Sequence, residues 1–230
     1  METILLLHGA IGSKDQLQPL KIILEHEFVV HTINCSGHGG EAFACEFSIP
    51  RFASEVARHI EENQLSTLHI FGYSMGGYVA MYLALTKPQL VKSITTLATK
   101  FYWDETTAAK EVKMLDPDII ETKLPGFAAQ LQQRHHPNNW RKVLAETSGM
   151  LQSMGKENPL TGAAYGTIKT PALIMLGDRD KMVALDETLS VYKSLHNAQM
   201  AVLPGTPHPL EQVDMEQLAF QIRRFVAKNS

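Results

Sequence analysis

Cysteine is nearly missing from this sequence: Cys35 and Cys45 are the only two among 230 residues. Two thiols build no disulfide scaffold, and their spacing is not that of a zinc site, so the fold has to stand on packing. Long hydrophobic runs are lacking as well. The longest near the N-terminus, Ile4 to Leu7, holds four residues and is followed by His8 and Gly9, whereas a secretory signal needs a basic start and roughly seven to fifteen apolar residues. No stretch approaches the roughly twenty apolar residues that cross a bilayer. Concentrated charge is absent too: 21 Lys plus Arg stand against 24 Asp plus Glu, a net charge of −3. Phosphate recognition needs a basic face, so nucleic acid is not an expected partner. These absences point to a cytoplasmic protein without a membrane partner. Its 44% hydrophobic content suffices for one domain with room for an insertion.

What is present is a rhythm. Six short apolar runs, at Ile4 to Leu7, Phe28 to Ile33, Leu68 to Phe71, Val91 to Leu97, Ala172 to Leu176 and Gln199 to Leu203, alternate with stretches of helical period. The runs are continuous, as strands buried on both faces of a parallel sheet should be, and most gaps hold a crossover helix. The helices are expected at Gln16 to His26, Pro50 to Asn63, Met75 to Lys87, Asp186 to Leu195 and Leu210 to Lys228. One gap is oversized: Leu97 and Ala172 lie about seventy residues apart, where a crossover needs a dozen or two. Helical patterns at Glu105 to Leu115, Asp118 to His135 and Asn138 to Met154, interrupted at prolines and glycines, make this a helical cap. The cap spans residues 100–159, leaving 1–99 and 160–230 as an α/β core. It carries eight acidic and eight basic residues, so any preference for a charged substrate depends on where individual arginines point.

The chemistry centres on Gly72-Tyr-Ser74-Met-Gly76-Gly77, a G-x-S-x-G pattern between a strand and a helix. The serine there has to sit on a tight, strained turn, and bulk two positions to either side would strike neighbouring backbone. A serine hydroxyl also needs a base, and the base a partner that fixes its tautomer. In an open α/β sheet, reacting groups gather beyond the carboxyl ends of the strands. Of ten histidines, His208 lies just after the last strand, whereas His196 leads into that strand from the opposite end. His31 and His69 fall inside strands. His26, His59, His135 and His136 fall on or beside helices and read as solvated or packed. Two carboxylates, Asp178 and Asp180, follow the fifth strand.

On the His8-Gly9 turn, the elbow at Ser74, the Gly177-Asp-Arg-Asp180 turn, the loop histidine His208 and the chain order Ser, acid, His, the sequence resembles the α/β-hydrolase superfamily over essentially its whole length. The resemblance implies a six-stranded parallel sheet in the order 2-1-3-4-5-6, lacking the family's N-terminal antiparallel pair. It makes Ser74 the nucleophile, His208 the base and Asp180 the acid, with Asp178 a turn-forming carboxylate. It assigns the oxyanion donors to the N–H groups of Ala10, with Ile11 as fallback, and Met75. His8 is expected to brace its loop. The turn after the second strand, Asn34-Cys-Ser-Gly37-His-Gly39, lacks the acid and proline that many relatives have there, although its glycines keep the turn.

Substrate contacts are expected from Tyr73, Trp103, Phe127, Trp140 and Met150, with Arg134, Arg141 and Lys142 available to a carboxylate. The expected substrate is a small carboxylic ester, cleaved without metal or organic cofactor by a monomer or homodimer. The opening Leu-His-Gly-Ala-Ile-Gly-Ser is also similar to menaquinone-pathway succinyl-cyclohexadiene-carboxylate synthases, in which the triad abstracts a proton. Carbon–carbon hydrolases and enol-lactonases share that plan. An arginine cluster facing Ser74 favours that branch, and an apolar pocket favours the ester. A non-catalytic, receptor-like protein is the third reading.

Overall fold

The computed structural model describes residues 1–229. In chain order it runs β1 (Glu2–Leu7), α1 (Gln18–Leu24), β2 (Phe28–Ile33), α2 (Ile49–Glu62), β3 (Leu68–Tyr73), α3 (Met75–Thr86) and β4 (Val91–Leu97). Then come α4 (Glu105–Lys113), α5 (Pro117–Lys123), α6 (Pro125–His135), α7 (Trp140–Lys156), α8 (Gly162–Tyr165), β5 (Ala172–Gly177), α9 (Leu185–Ser194), β6 (Ala198–Leu203) and α10 (Met215–Val226). The six strands form one sheet in the order β2-β1-β3-β4-β5-β6, and every pairing is parallel.

Why the apolar runs are continuous is visible in β1. Leu5 and Leu7 face one side, in a cluster with Phe52 and Val56 of α2 and Val79 and Leu83 of α3. Ile4 and Leu6 face the other, with Leu20 and Leu24 of α1 and Leu218 and Ile222 of α10. Strand side chains alternate between faces, and helices bury both, so both parities of β1 are apolar. Each fully buried leucine contributes on the order of 2 kcal/mol. Two of the helices that cover the sheet begin where the sequence supplies caps: Ser48 accepts from the Arg51 N–H at 3.3 Å at the start of α2, and Asp214 from the Glu216 and Gln217 N–H groups at 3.0 Å at the start of α10.

The insertion between β4 and β5 is helical. The single pattern from Asp118 to His135 is two helices, α5 and α6, because Leu124, which precedes Pro125, leaves the helical region at φ −135°, ψ 56°. Helix α7 divides its buried stripe. Trp140 and Leu144 pack inside the cap with Ile120, Ala128 and Leu131, whereas Met150, Leu151 and Met154 join the main core. Among the described residues no helix is long and apolar enough to cross a membrane.

Candidate active site

Ser74 is the joint between β3 and α3, with φ 50° and ψ −116°, a conformation that costs an L-residue on the order of 1–3 kcal/mol. The surroundings hold it there. Its N–H donates to Leu97 O at 2.8 Å, and Thr99 Oγ1 donates to its carbonyl at 2.9 Å. Gly76 lets the turn close, since a Cβ there would lie 2.5 Å from Leu7 O and 2.7 Å from His8 O. The first turn of α3 then sits beneath Ser74, with its N–H dipoles favouring negative charge.

Asp180 and His208 meet in the loops after β5 and β6. Asp180 Oδ2 lies 2.8 Å from His208 Nδ1, and Asp180 Oδ1 accepts the N–H groups of Met182 and Val183 at 2.8 and 2.9 Å. Burial alone would raise this carboxyl's pKa, but the bonds from His208, Val183 and Met182 outweigh it and hold the group below its ordinary value. A carboxylate accepts only, so Nδ1 carries the imidazole proton and Nε2 keeps a free lone pair. The histidine is braced from behind: Tyr73 Oη donates to the His208 carbonyl at 2.9 Å, and the rings lie 5.7 Å apart. Asp178 turns away and accepts the Thr206 N–H at 3.2 Å, the turn-forming task expected of it.

The loop after β1 is held by two buried histidines. His8 donates Nδ1–H to Gly9 O at 2.7 Å and accepts the Cys35 N–H at Nε2 at 3.1 Å. Burial lowers its pKa to about 4. His135, at the end of α6, accepts the Gly39 N–H at Nδ1 at 3.1 Å, which leaves Nε2–H to donate to Ile11 O at 3.0 Å. Burial brings it to about 4 as well, and Arg134 adds a second donor to the same carbonyl at 3.3 Å. His135 is therefore packed, as a helix histidine was expected to be. Its further role, tying the cap to both core loops, carries no sequence signal, since its partners are about a hundred residues away in the chain. Gly37, Gly39 and Gly40 all have positive φ, which is how the turn survives without its proline. Cys35 is buried, and burial pushes its thiol pKa up.

A cavity of about 530 Å³ lies over Ser74, between core and cap. Of the residues expected around a substrate, Ala10, Tyr73, Ser74, Met75, Trp103, Phe127, Met150 and His208 line it. Trp140 does not: its face of α7 is taken up by the cap's own interior. The N–H groups of Ala10 and Met75 have no hydrogen-bond partner among the described residues. The rest of the wall is largely apolar and rich in methionine, with Met114, Met154 and Met182 among its members. Its charges are paired within the protein: Arg134 with Glu211 at 3.3 Å and Lys100 with Glu111 at 3.5 Å. Arg141 points elsewhere, to Asp118 and Glu121, and Lys142 sits over the Phe43 ring at 4.3 Å. Sequence reasoning missed Arg134 as a loop anchor, along with Tyr78 and Met182 in the wall. Among the described residues no three His, Cys, Asp or Glu side chains gather as metal ligands.

The chain is 25% identical over 232 residues to a Bacillus subtilis (strain 168) protein assigned as a 2-succinyl-6-hydroxy-2,4-cyclohexadiene-1-carboxylate synthase, covering 90% of this chain and 84% of that one. It is 28% identical to the pimeloyl-[acyl-carrier protein] methyl ester esterase of Chromobacterium violaceum, over 88% and 83% of the two chains. The fold is shared with a thermophilic esterase from Thermogutta terrifontis, at TM-score 0.78 and 20% identity, covering 100% of this chain and 91% of that one. It is shared also with MenH from S. aureus, at TM-score 0.80 and 18% identity over 99% and 94%. A family model described as the alpha/beta hydrolase fold matches residues 2–137, more than half of the sequence, and the chain belongs to that family.

Proposed function

We propose that the protein is a serine hydrolase that cleaves a carboxylic ester with a small or slender apolar acyl group, through an acyl-enzyme. The observation that carries this reading is the 2.8 Å Asp180–His208 contact beside a strained Ser74 at the floor of one largely apolar cavity. Ser74 Oγ attacks the ester carbonyl while His208 Nε2 takes its proton. Asp180 stays ionised and holds Nδ1–H throughout. The tetrahedral oxyanion accepts the N–H groups of Ala10 and Met75, each donor being worth on the order of 3 kcal/mol in such sites. Nε2–H then protonates the departing alcohol, and a water activated by the same nitrogen releases the acid.

The synthase-like reading, in which Ser74 and His208 act as a base on carbon, draws support from the 25% identity to the Bacillus subtilis protein. The cavity favours the ester. A substrate with several carboxylates needs cations free to meet it, and Arg134 and Lys100 are already engaged by Glu211, Glu111 and two backbone carbonyls. The test is turnover of p-nitrophenyl butyrate by the wild-type chain and by Ser74→Ala, with a fluorophosphonate probe on both. Wild-type turnover and labelling, both lost in the variant, are expected. Equal rates in the two would sink the assignment.

A further inference from the structure

A second cavity, of about 500 Å³, lies against the first and opens beside the N-terminus of α2 and the C-terminal half of α7. Three residues line both cavities: Ile49, Met150 and Met154. They are the partition, and each is almost fully buried. Next to them a fixed strut crosses the same wall, where Tyr78 of the first cavity hydrogen-bonds Asn158 of the second and accepts the Leu160 N–H at 3.1 Å. The two halves of the wall differ physically. The strut is held by polar bonds, whereas the methionines are unbranched thioethers with three rotatable bonds and no polar tie to hold them.

We infer that Met150 and Met154 form a movable gate, through which an unbranched apolar chain of the substrate ester passes from the catalytic cavity into the second one. The inference rests on the ester-hydrolase reading and assigns its chain-length specificity. An ester with a short chain is served by the first cavity alone, and the gate stays shut. A longer chain displaces the two methionine side chains, which swing within their own apolar surroundings. Its distal methylenes then lie along Pro50, Tyr82 and Pro159 on one side of the second cavity, whose other side carries Ser48, Ser153, Glu157 and Asn158. Each methylene fully removed from water improves binding about four-fold, and because the second cavity is open to solvent along Pro50, Ser153 and Glu157, two methylenes beyond the gate are worth roughly ten-fold in kcat/KM.

The experiment measures kcat/KM along two series: p-nitrophenyl esters from butyryl through octanoyl to dodecanoyl, and acetate esters of alcohols from butanol to dodecanol. The readout is the long-to-short ratio within each protein, which cancels general damage to the site. In the wild type the ratio exceeds unity in one series, and that series identifies whether the chain comes from the acid or the alcohol. Met154→Ala, which removes half of the gate, raises the ratio roughly ten-fold. Ser153→Trp, which fills the second cavity from the exposed face of α7 without entering the first, lowers it roughly ten-fold. Ser74-dependent turnover with a ratio unmoved by Ser153→Trp in both series overturns the gate and leaves the hydrolase reading standing. No Ser74-dependent turnover of any ester removes both.

Discussion

Acidification should unfold this protein through a histidine that never touches substrate. His8 is buried, donates to Gly9 O, accepts from Cys35 N–H, and has its pKa lowered by burial from 6.5 to about 4. The sign follows from proton counting. Between those two values the unfolded chain binds a proton at His8 that the folded chain refuses, so stability is complete above the unfolded value and is lost as pH falls toward the folded one. One proton corresponds to about 1.4 kcal/mol per pH unit, and by about pH 4 the accumulated loss through His8 is about 3 kcal/mol. That is a large part of the stability of an ordinary domain, about 5–15 kcal/mol. Protonation would also put a hydrogen on Nε2, where the Cys35 N–H now donates. Urea unfolding of the wild type and of His8→Gln, from about pH 7 down to about pH 4.5, isolates this contribution. The variant starts less stable, because glutamine replaces only some of the histidine's bonds, but its stability falls less steeply. The expected difference in slope near pH 5 is about 1.4 kcal/mol per pH unit. His38 and His135 titrate in the same sense and are present in both chains, so their own contributions cancel apart from the charge coupling each has with His8. Equal slopes would refute the reasoning.

Three further outcomes follow from the site. In Asp180→Asn the amide oxygen stays with the Met182 and Val183 N–H donors, which turns the NH2 toward His208 and drives the imidazole proton onto Nε2; ester turnover should fall by roughly three to four orders of magnitude at unchanged Tm. Ser74→Gly should abolish turnover while raising stability by about 1 kcal/mol in urea unfolding, because glycine adopts φ 50° without strain. Tyr73→Phe removes the bond to the His208 carbonyl, with an expected loss of about 1 kcal/mol in stability and a several-fold lower kcat for p-nitrophenyl butyrate at little change in KM.

Much of this architecture is written locally. Strands β1 and β5 fall where continuous apolar runs, Ile4 to Leu7 and Ala172 to Leu176, end at turn residues, and the Gly72 to Gly77 elbow is legible because steric exclusion leaves glycine alone at its close contacts. Chain order and the rule that chemistry collects at one end of the sheet lead to His208 and to the pair Asp178 and Asp180, and the resemblance to the α/β-hydrolases is what implies Asp180. What was not legible depends on how the cap docks. Trp140 and Met150 are both apolar residues on α7, and nothing in their spacing says that one faces the cap interior and the other the cavity. The two faces became distinguishable only once α5 and α6 had claimed the first. His135 is harder still: its donors and acceptors are backbone groups at Gly39 and Ile11, which leave no side-chain trace in a sequence.

The strand order also sets a timetable. Of the six strands a ribosome releases β1 before the others, yet β1 lies inside the sheet, with Leu6 opposite both Thr32 of β2 and Phe71 of β3. Growth on the other side then proceeds one strand at a time, from β3 through β4 and β5 to β6. Such non-local pairing closes long loops before contacts reward it, which makes folding slow. On the proposed mechanism the nucleophile arrives with β3, the acid with β5 and the base only with β6. A partly synthesised chain thus holds a strained serine that can attack nothing, and the onset of turnover marks the moment the last strand is in place.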